Sequence, residues 1–504
     1  MSNETTKQNL TVNVRMYCQG LGDCFLLTFK SGEKNFTMMI DCGVLHGTEK
    51  AKEKMQEIVK NIKSETGGLI NLVVVTHQHW DHISGFEQAQ DIFDEIAFEE
   101  VWLAWTEDPS NQTAANLNKG FNARLKGLQC ALAKLDSSVR LTEEKNEIKQ
   151  LLEGFFGENF GDVNDSEELG ATGKKTSKSM RVKAWDYIKE KSKPNKPRYT
   201  YCYPGTEPLT LKEFEGVRIY VFGPPQDPKK IRNLNPPSTE QYRHNFNLNT
   251  FSLEDSFFVA VNDEADFQES NACSPFDQNE EGILSEAEAQ DDNVIGYKFF
   301  NDYYFSGKDG TNSWRRINND WLGMTSEMAL KLDSYTNNTS LVIAIELVES
   351  GKVLLFVGDA QSGNWQSWHD YTWQILDKNG LKQKVNAEDL LRRTVLYKVG
   401  HHGSHNATLK RLGLEMMSNV KELVALIPVD SEVAFSKRPH KWEMPFDALL
   451  EDLQKKTNGR VIASDKGRLT DKEPPTADTG WKSYKEDENK LMLGEKLFID
   501  YLVK

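Results

Sequence analysis

The stretch NLVVVTHQHWDHISG, residues 71–85, gathers His77, His79, Asp81 and His82 within six positions behind a run of valines. The chain has 10 histidines in 504 residues, so three of them here ask for a chemical reason. Side chains two apart on extended backbone point to the same side, and His77 and His79 can therefore share one metal ion. Asp81 and His82 follow closely enough to turn towards a second ion a few ångströms away. Mixed imidazole and carboxylate donors suit zinc, manganese or iron better than calcium. The alternative is a chance cluster of surface histidines. At this histidine frequency the pattern arises by chance in roughly one such chain in several thousand, which decides for metal.

Strands have to deliver this cluster. LINLVVVT reads as a buried strand running straight into it, and KAKEKMQEIVKNIK (50–63) before it carries helical spacing. The first 45 residues read as β structure: LTVNVRMY, CFLLTF and FTMMID are apolar or alternating, punctuated by QGLGD and KSGEKN. Strand, helix, strand and polar loop is the layout of a layered α/β protein with its site at strand ends. Residues 112–156 turn helical, and GVRIYVFGPP (216–225) is a strand with a Gly-Pro stop. SLVIAIELVESGKVLLFVGDA (340–360) is a β-hairpin turning at ESGK. RTVLYKVGHHGSHNA (393–407) is a strand entering a histidine-rich loop. ELVALIPVD, a helical EMPFDALLEDLQKK, GRVIASD and KLFIDYLV follow, and no internal repeat is visible.

THQHWDH matches the HxHxDH signature of the metallo-β-lactamase fold superfamily. Three further segments resemble its landmarks in order: MMIDCG (38–43), LLFVGDA (354–360) and LYKVGHHGSH (396–405). The resemblance implies an αββα sandwich holding one or two metals. It makes Asp41 an orienting residue beside the site, Asp359 the bridging carboxylate and His401 the histidine completing the second metal. Residues 1–105 and 201–504 then form the halves of the fold, with a helical and basic insertion at 106–200 and an acidic one at about 226–335. Within the superfamily, the chain is similar to the soluble hydrolase domain of ComEC-type competence proteins. QGLGDCFLL (19–27), NNTSLVIAIE (337–346), LLFVGDA and KVGHHGS carry that likeness. RPHKWEMPFDALLEDL (438–453) and RVIASDKGRL (460–469) follow it more loosely. Two departures stand out: those domains usually carry Asp where this chain has His79, and the interval from His82 to Asp359 is far longer. The histidine that normally serves as the third motif is also missing. His244, in the polar QYRHNFN, is the only histidine in that interval and reads as a loop residue. A first site of His77, His79, Asp359 and water remains workable.

The resemblance implies two divalent ions, zinc or manganese, that activate a water, with Asp81 both a ligand and an acceptor steering it. A leaving group needs an acid, and His405 or His402 is placed for it. Gly400 and Gly403 permit tight turns, and Ser404 can cap a helix expected at NATLKRLGLEMM. His440 either leans into the pocket or simply precedes a helix.

Composition bounds the rest. A net charge of −15 discourages nucleic-acid binding by the whole surface, though not by a local channel. Such a channel is offered by residues 174–198, with ten Lys or Arg against Asp186 and Glu190. There Lys174, Lys175, Lys178, Arg181 and Lys183 could track a phosphate backbone while Trp185, Tyr187 and Tyr201 stack on bases. A solvated lysine-rich helix is the alternative. Residues 263–292, with eleven acidic and no basic residues, read as a flexible loop or a cover for the site. Six cysteines without a CxxC pair read as reduced. The polar start and the lack of an apolar span point to a cytoplasmic protein with no membrane contact. The expected function is a metal-dependent phosphodiesterase or nuclease. The alternatives are hydrolysis of another ester, thioester or lactam, or a toxin or defence subunit whose insertion binds a protein partner.

Overall fold

The computed structural model describes residues 10–136, 149–150, 152–157, 179–211, 214–234, 236–242, 291–294, 296–305, 320–376, 380–436, 442–465, 467–468 and 497–504. Expectations placed on Lys174, Lys175, Lys178, His244, His440 and most of 263–292 lie outside the described residues.

The alternating runs at the start build a sheet. β1 (Thr11–Tyr17), β2 (Cys24–Ser31) and β3 (Lys34–Cys42) form an antiparallel meander. β4 (Leu69–Val75), β5 (Ala97–Ala104) and β6 (Arg198–Cys202) then each add in parallel to the strand before. A second sheet begins with β7 (Leu209–Leu211), β8 (Phe214–Gly223), β9 (Val342–Leu347) and β10 (Lys352–Phe356). A separate hairpin, β11 (Thr372–Leu376) and β12 (Lys382–Asn386), intervenes. The second sheet resumes with β13 (Thr394–Lys398), β14 (Val424–Ile427), β15 (Val461–Ala463) and β16 (Gly467–Arg468), and β17 (Phe498–Val503) returns beside β1. Strand order is β17-β1-β2-β3-β4-β5-β6 in the first sheet and β16-β15-β14-β13-β10-β9-β8-β7 in the second.

The inner faces share one apolar core, with Val14, Phe25, Leu27 and Met38 from the first sheet and Ile219, Ile345, Leu354 and Phe356 from the second. Phe25 and Phe356 meet edge to face across it at 5.5 Å. Each such side chain contributes about 1.5–3 kcal/mol by leaving water. Helices cover the outer face of the first sheet. Ala51–Thr66 presents Met55, Ile58, Val59 and Ile62 at helical spacing and ends where Gly67 adopts φ 61°. Trp80–Gln88 and Met180–Glu190 pack alongside through Phe86 and Trp185. Beside the second sheet, Trp365 and Trp368 pack with ring planes tilted by 32° and centroids 3.9 Å apart, and Trp373 lies against Tyr220. The fold is thus α/β, an αββα sandwich carrying insertions.

The chain divides into two compact units, and the sandwich belongs to the one built from 1–119, 150–248 and 333–504. The other comprises 120–149 and 249–332. Among its described residues, Phe299, Phe300, Tyr303 and Tyr304 form an aromatic cluster. Within the stretch 106–200 expected as an insertion, the helix Met180–Glu190 packs on the first sheet through the apolar stripe of Ala184, Trp185 and Ile188. The helix expected at NATLKRLGLEMM is replaced by turns and a short 3-10 segment, Leu414–Met416. The Glu240 carboxylate takes the backbone N–H groups of Arg411 and Leu412 at 2.9 and 2.8 Å, which holds that backbone out of a helix. No described helix is long and apolar enough to cross a membrane.

Candidate metal centre

The candidate site lies where parallel strands of both sheets stop. Asp41 is the penultimate residue of β3, β4 runs into Thr76–His79, β10 leads to Asp359, and β13 ends at Lys398 just before His401 and His402. Directly after His79 the chain enters the helix Trp80–Gln88, so Asp81 and His82 sit in its first turn rather than on an extended loop. Backbone bonds tie the edge together: Leu341 N–H donates to Thr76 O at 2.9 Å, and Asp23 N–H to Asp81 O at 3.0 Å. Such close approach requires glycine. A Cβ on Gly43 would stand 2.4 Å from the Asp81 carbonyl carbon and 2.5 Å from His82 N.

Hydrogen bonds at the first sheet set each imidazole. The Asp41 carboxylate accepts from Thr76 N–H at 2.8 Å and from Thr76 Oγ1 at 2.6 Å, and its Oδ2 lies 2.8 Å from His82 Nδ1. His82 Nε2 is thereby turned to Asp359 Oδ2, 3.2 Å away. Because the Thr76 hydroxyl hydrogen goes to Asp41, its oxygen is free to accept from His77 Nδ1 at 3.0 Å. His77 Nε2 then faces His79 Nδ1 at 3.0 Å. Carboxylate or hydroxyl behind and a bare nitrogen in front is the arrangement of metal-ligating histidines.

The second sheet brings the remaining groups. Asp359 is fixed at both ends: its backbone N–H donates to Ser340 Oγ at 3.0 Å, while its Oδ1 accepts from His401 N–H at 3.0 Å and from Lys398 at 3.3 Å. His401 and His402 both have positive φ, 43° and 53°, a strain of order 1–3 kcal/mol each. That turn sends His402 inward. Its Nδ1 sits 2.7 Å from the Pro428 carbonyl, its Nε2 lies 3.0 Å from Asp81 Oδ2, and the same Nε2 is 3.6 Å from Asp359 Oδ2. The sequence reading chose His401 for the second metal. The structure instead places His402 against Asp81 and Asp359, with His401 Nδ1 at 3.1 Å from Gln361.

Asp23, His82, Asp359 and His402 have ligand-type atoms within 4.8 Å of one another. Asp23 stands apart within that group. It approaches His82 and His402 from their Nδ1 sides, at 3.8 Å each, behind the nitrogens that face Asp81 and Asp359. It also forms an ion pair with Lys398, whose Nζ donates to Gly358 O at 2.7 Å. Asp23 is therefore better placed to balance charge than to ligate, and Asp81 is the fourth inward group.

Electrostatics make the need for cations explicit. Asp23, Asp41, Asp81 and Asp359 are buried around the site with the Lys398 ammonium beside Asp23 and Asp359, so carboxylates outnumber the ammonium among them. Without ions, His82 and His402 take up that charge. Burial opposes their protonation, but Asp359 and the neighbouring aspartates hold both above the usual histidine range. The same histidine charges outweigh burial and keep Asp81 and Asp359 below the ordinary carboxylate range. His79 and His401 are pushed down by burial to about 3 and about 4, so both are neutral donors near pH 7. His79 Nε2, Asp81 Oδ1, His82 Nε2, Asp333 Oδ1, Asp359 Oδ2 and His401 Nε2 are all buried without a hydrogen bond. Buried polar atoms are nearly always paired, and orphans gathered in one place with this chemistry fit divalent cations.

Residues 19–115 match the family model of the metallo-beta-lactamase superfamily. The matched segment holds Asp41 and the whole THQHWDH cluster, and the match supports placement in that superfamily. No curated protein matches the chain significantly. The superfamily match and the buried Asp/His group together support a metal-dependent hydrolase.

Around the candidate metal centre, other expected residues fall in varied places. His405 stands at the rim, edge-on to Phe446 at 6.2 Å, its pKa lowered because desolvation disfavours the charged ring. Ser404 is buried and donates to Asn406 Oδ1 at 3.2 Å instead of capping a helix. Arg181, expected on a nucleic-acid surface, is turned inward and donates to Gln78 Oε1 at 2.7 Å, while Gln78 donates to Glu107 at 2.8 Å. Lys183 is exposed. Trp185 is spent in the apolar core and Tyr187 donates to Asp94 at 3.0 Å, so neither ring presents a free face for stacking as expected. Sequence reading missed Asp23 and Lys398, although both lie inside quoted motifs, QGLGD and LYKVG. A charged residue in an otherwise apolar strand end was the available signal. Nothing in sequence pointed to Phe155 and Phe156, whose rings pack on His79 at 5.5 and 5.3 Å.

Proposed function

We propose that this protein is a two-metal phosphodiesterase whose natural substrate is a nucleic acid. The observation that carries the reading is the set of orphaned, buried nitrogens and oxygens converging between the two sheets. His77 Nε2 and His79 Nδ1 would hold one ion, and Asp81, His82 Nε2, Asp359 Oδ2 and His402 Nε2 the other. The mixed imidazole and carboxylate donors suit two divalent ions, zinc or manganese. Such ions supply Lewis acidity for phosphoryl oxygens and lower the pKa of water at neutral pH. Asp81 Oδ1, which has no other partner, accepts a hydrogen bond from the attacking water and aims its lone pair. Lys398 keeps Asp359 anionic and in place through the reaction. His405 at the rim would serve as the acid for the leaving oxygen, its charged form favoured by the Glu443 carboxylate. Similarity to ComEC-type hydrolase domains favours DNA, and exposed Lys183 lies on the surface helix Met180–Glu190.

A second reading has its own support. Phe155, Phe156 and Trp442 form an aromatic wall on the His79 side, with Phe155 and Trp442 5.2 Å apart. An apolar wall suits a compact ester, thioester or lactam better than a polyanion. A gated subunit of a toxin or defence system, its insertion bound to a protein partner, is a reading in which turnover waits on that partner. Purified protein incubated with Mn²⁺ or Zn²⁺ and plasmid, single-stranded DNA, RNA or a bis-aryl phosphate tests the proposal. Cleavage abolished by Asp81→Ala and His79→Ala is the expected outcome. Turnover of esters or lactams with every phosphodiester untouched would refute it.

A further inference from the structure

Three of the histidines around the candidate metals have an acceptor behind the ring: Thr76 for His77, Asp41 for His82 and the Pro428 carbonyl for His402. His79 is the exception, since its Nε2 has no hydrogen-bond partner. The group facing that nitrogen is Asp333 Oδ1, 3.6 Å away, itself buried and without a hydrogen bond. Two complementary orphans pointed at one another deep in a fold call for a common explanation.

The hydrogen-bond chain supplies it. The Thr76 hydroxyl is committed to Asp41, so His77 carries its proton on Nδ1 and presents a bare Nε2. That lone pair looks across 3.0 Å at His79 Nδ1. For a cation to sit against both nitrogens, His79 must also be bare at Nδ1 and so protonated at Nε2. The proton then points at Asp333. We propose that Asp333 is a positioning residue for the first metal: it accepts from His79 Nε2–H and fixes the tautomer in which His79 Nδ1 faces the ion. This rests on the metal-dependent reading above and gives His79 the outer acceptor that His77, His82 and His402 already have.

The local structure is built for this task. Asp333 lies near the C-terminal end of the helix Asp320–Asn337, and Asn337, one turn on, donates to its Oδ2 at 3.2 Å. That bond engages one carboxylate oxygen and leaves the other directed at His79. At 3.6 Å the pair is in contact but not bonded, and a closure of about 0.6 Å completes an ordinary N–H···O bond. Phe155 and Phe156 pack on the His79 ring and keep water from competing for its Nε2.

The test uses the full chain stripped with chelator and titrated with Zn²⁺ against a chromophoric competitor, with Co²⁺ absorption as a signature of ligand geometry. The arms are wild type, Asp333→Asn, Asp333→Ala, His79→Ala and the His79→Ala/Asp333→Ala double variant. Removing an outer carboxylate typically weakens a site 10–100-fold. Asp333→Ala should weaken one ion by about that factor and leave the other within about threefold. Asp333→Asn, whose amide oxygen still accepts, should lose less and keeps the question answerable if the alanine variant does not fold. In the His79→Ala background the Asp333→Ala change should add less than about twofold. Two ions bound at wild-type affinity by both Asp333 variants would overturn the proposal. So would a full loss persisting without His79, which would make Asp333 a direct ligand. A wild type that binds no ion would remove the metal reading itself, whereas intact two-ion binding without phosphodiester cleavage would touch only the substrate.

Discussion

Lys398→Met isolates the charge logic of the site. The Lys398 ammonium is paired with Asp23, donates to Gly358 O at 2.7 Å and lies 3.3 Å from Asp359 Oδ1, entirely out of solvent. At an effective dielectric of ~20, a unit charge at that separation is worth about 5 kcal/mol, and Asp23 is closer still. Desolvating the ammonium takes back part of this, and removing one partner of a buried pair leaves a net loss of about 3–5 kcal/mol. Methionine keeps most of the volume, so little of that loss is cavity. The measurement is urea unfolding of chelator-stripped protein, followed by tryptophan fluorescence, for Lys398→Met, Asp23→Asn and the pair combined. The single lysine change should cost about 3–5 kcal/mol, and the double should recover most of it because it leaves no greater charge imbalance than the wild type has. Lowering the pH should shrink the penalty, since protonating Asp23 removes the stranded charge. A stripped Lys398→Met protein within about 1 kcal/mol of wild type, or strictly additive single changes, would refute the reasoning.

Asp41→Ala frees His82 Nδ1 and both Thr76 donors, and should weaken metal binding about 10–100-fold by competition titration with the fold retained by circular dichroism. Gly43→Ala drives a Cβ into the Asp81–His82 peptide and should abolish metal binding even though it lies outside the ligand set; wild-type affinity would contradict the packing. Metal binding should release protons in a position-dependent way. His82 and His402 are held protonated above the usual range and must give those protons up, so affinity at their ion should rise with pH until their raised pKa values are passed. His77 is also lowered and His79 lies at about 3, so binding at their ion should be nearly flat from about pH 6 to 8. Calorimetry in buffers of different ionisation enthalpy separates the two.

How far the sequence reached follows from what each signal measures. Valine-rich runs such as LVVV and VLLF can be buried only as strands between layers, which is why β4 and β10 were legible with their site residues at the ends. Local spacing identified His77, His79, Asp81 and His82, because four chemically matched residues in six positions have few other uses. Spacing cannot say which of two adjacent histidines turns inward, since that depends on consecutive left-handed φ values at His401 and His402. Nor does a run of lysines and arginines reveal that Arg181 is drawn inward by Gln78, a residue 103 positions away. Asp333 was invisible for the same reason: its significance lies in the nitrogen it faces, and nothing in KLDSY marks it.

The division of the site between the sheets also has a consequence for how the protein is made. Asp41 and the THQHWDH residues come from the first sheet, whereas Asp359, Lys398 and His402 come from the second. A growing chain therefore carries only half a metal cage until β13 and the turn after it have left the ribosome. A loosely held ion on the first half alone would find neither Asp359 nor His402. On the metal-dependent reading, catalytic competence would come only once both halves are made, and a chain that stalls earlier would be chemically silent.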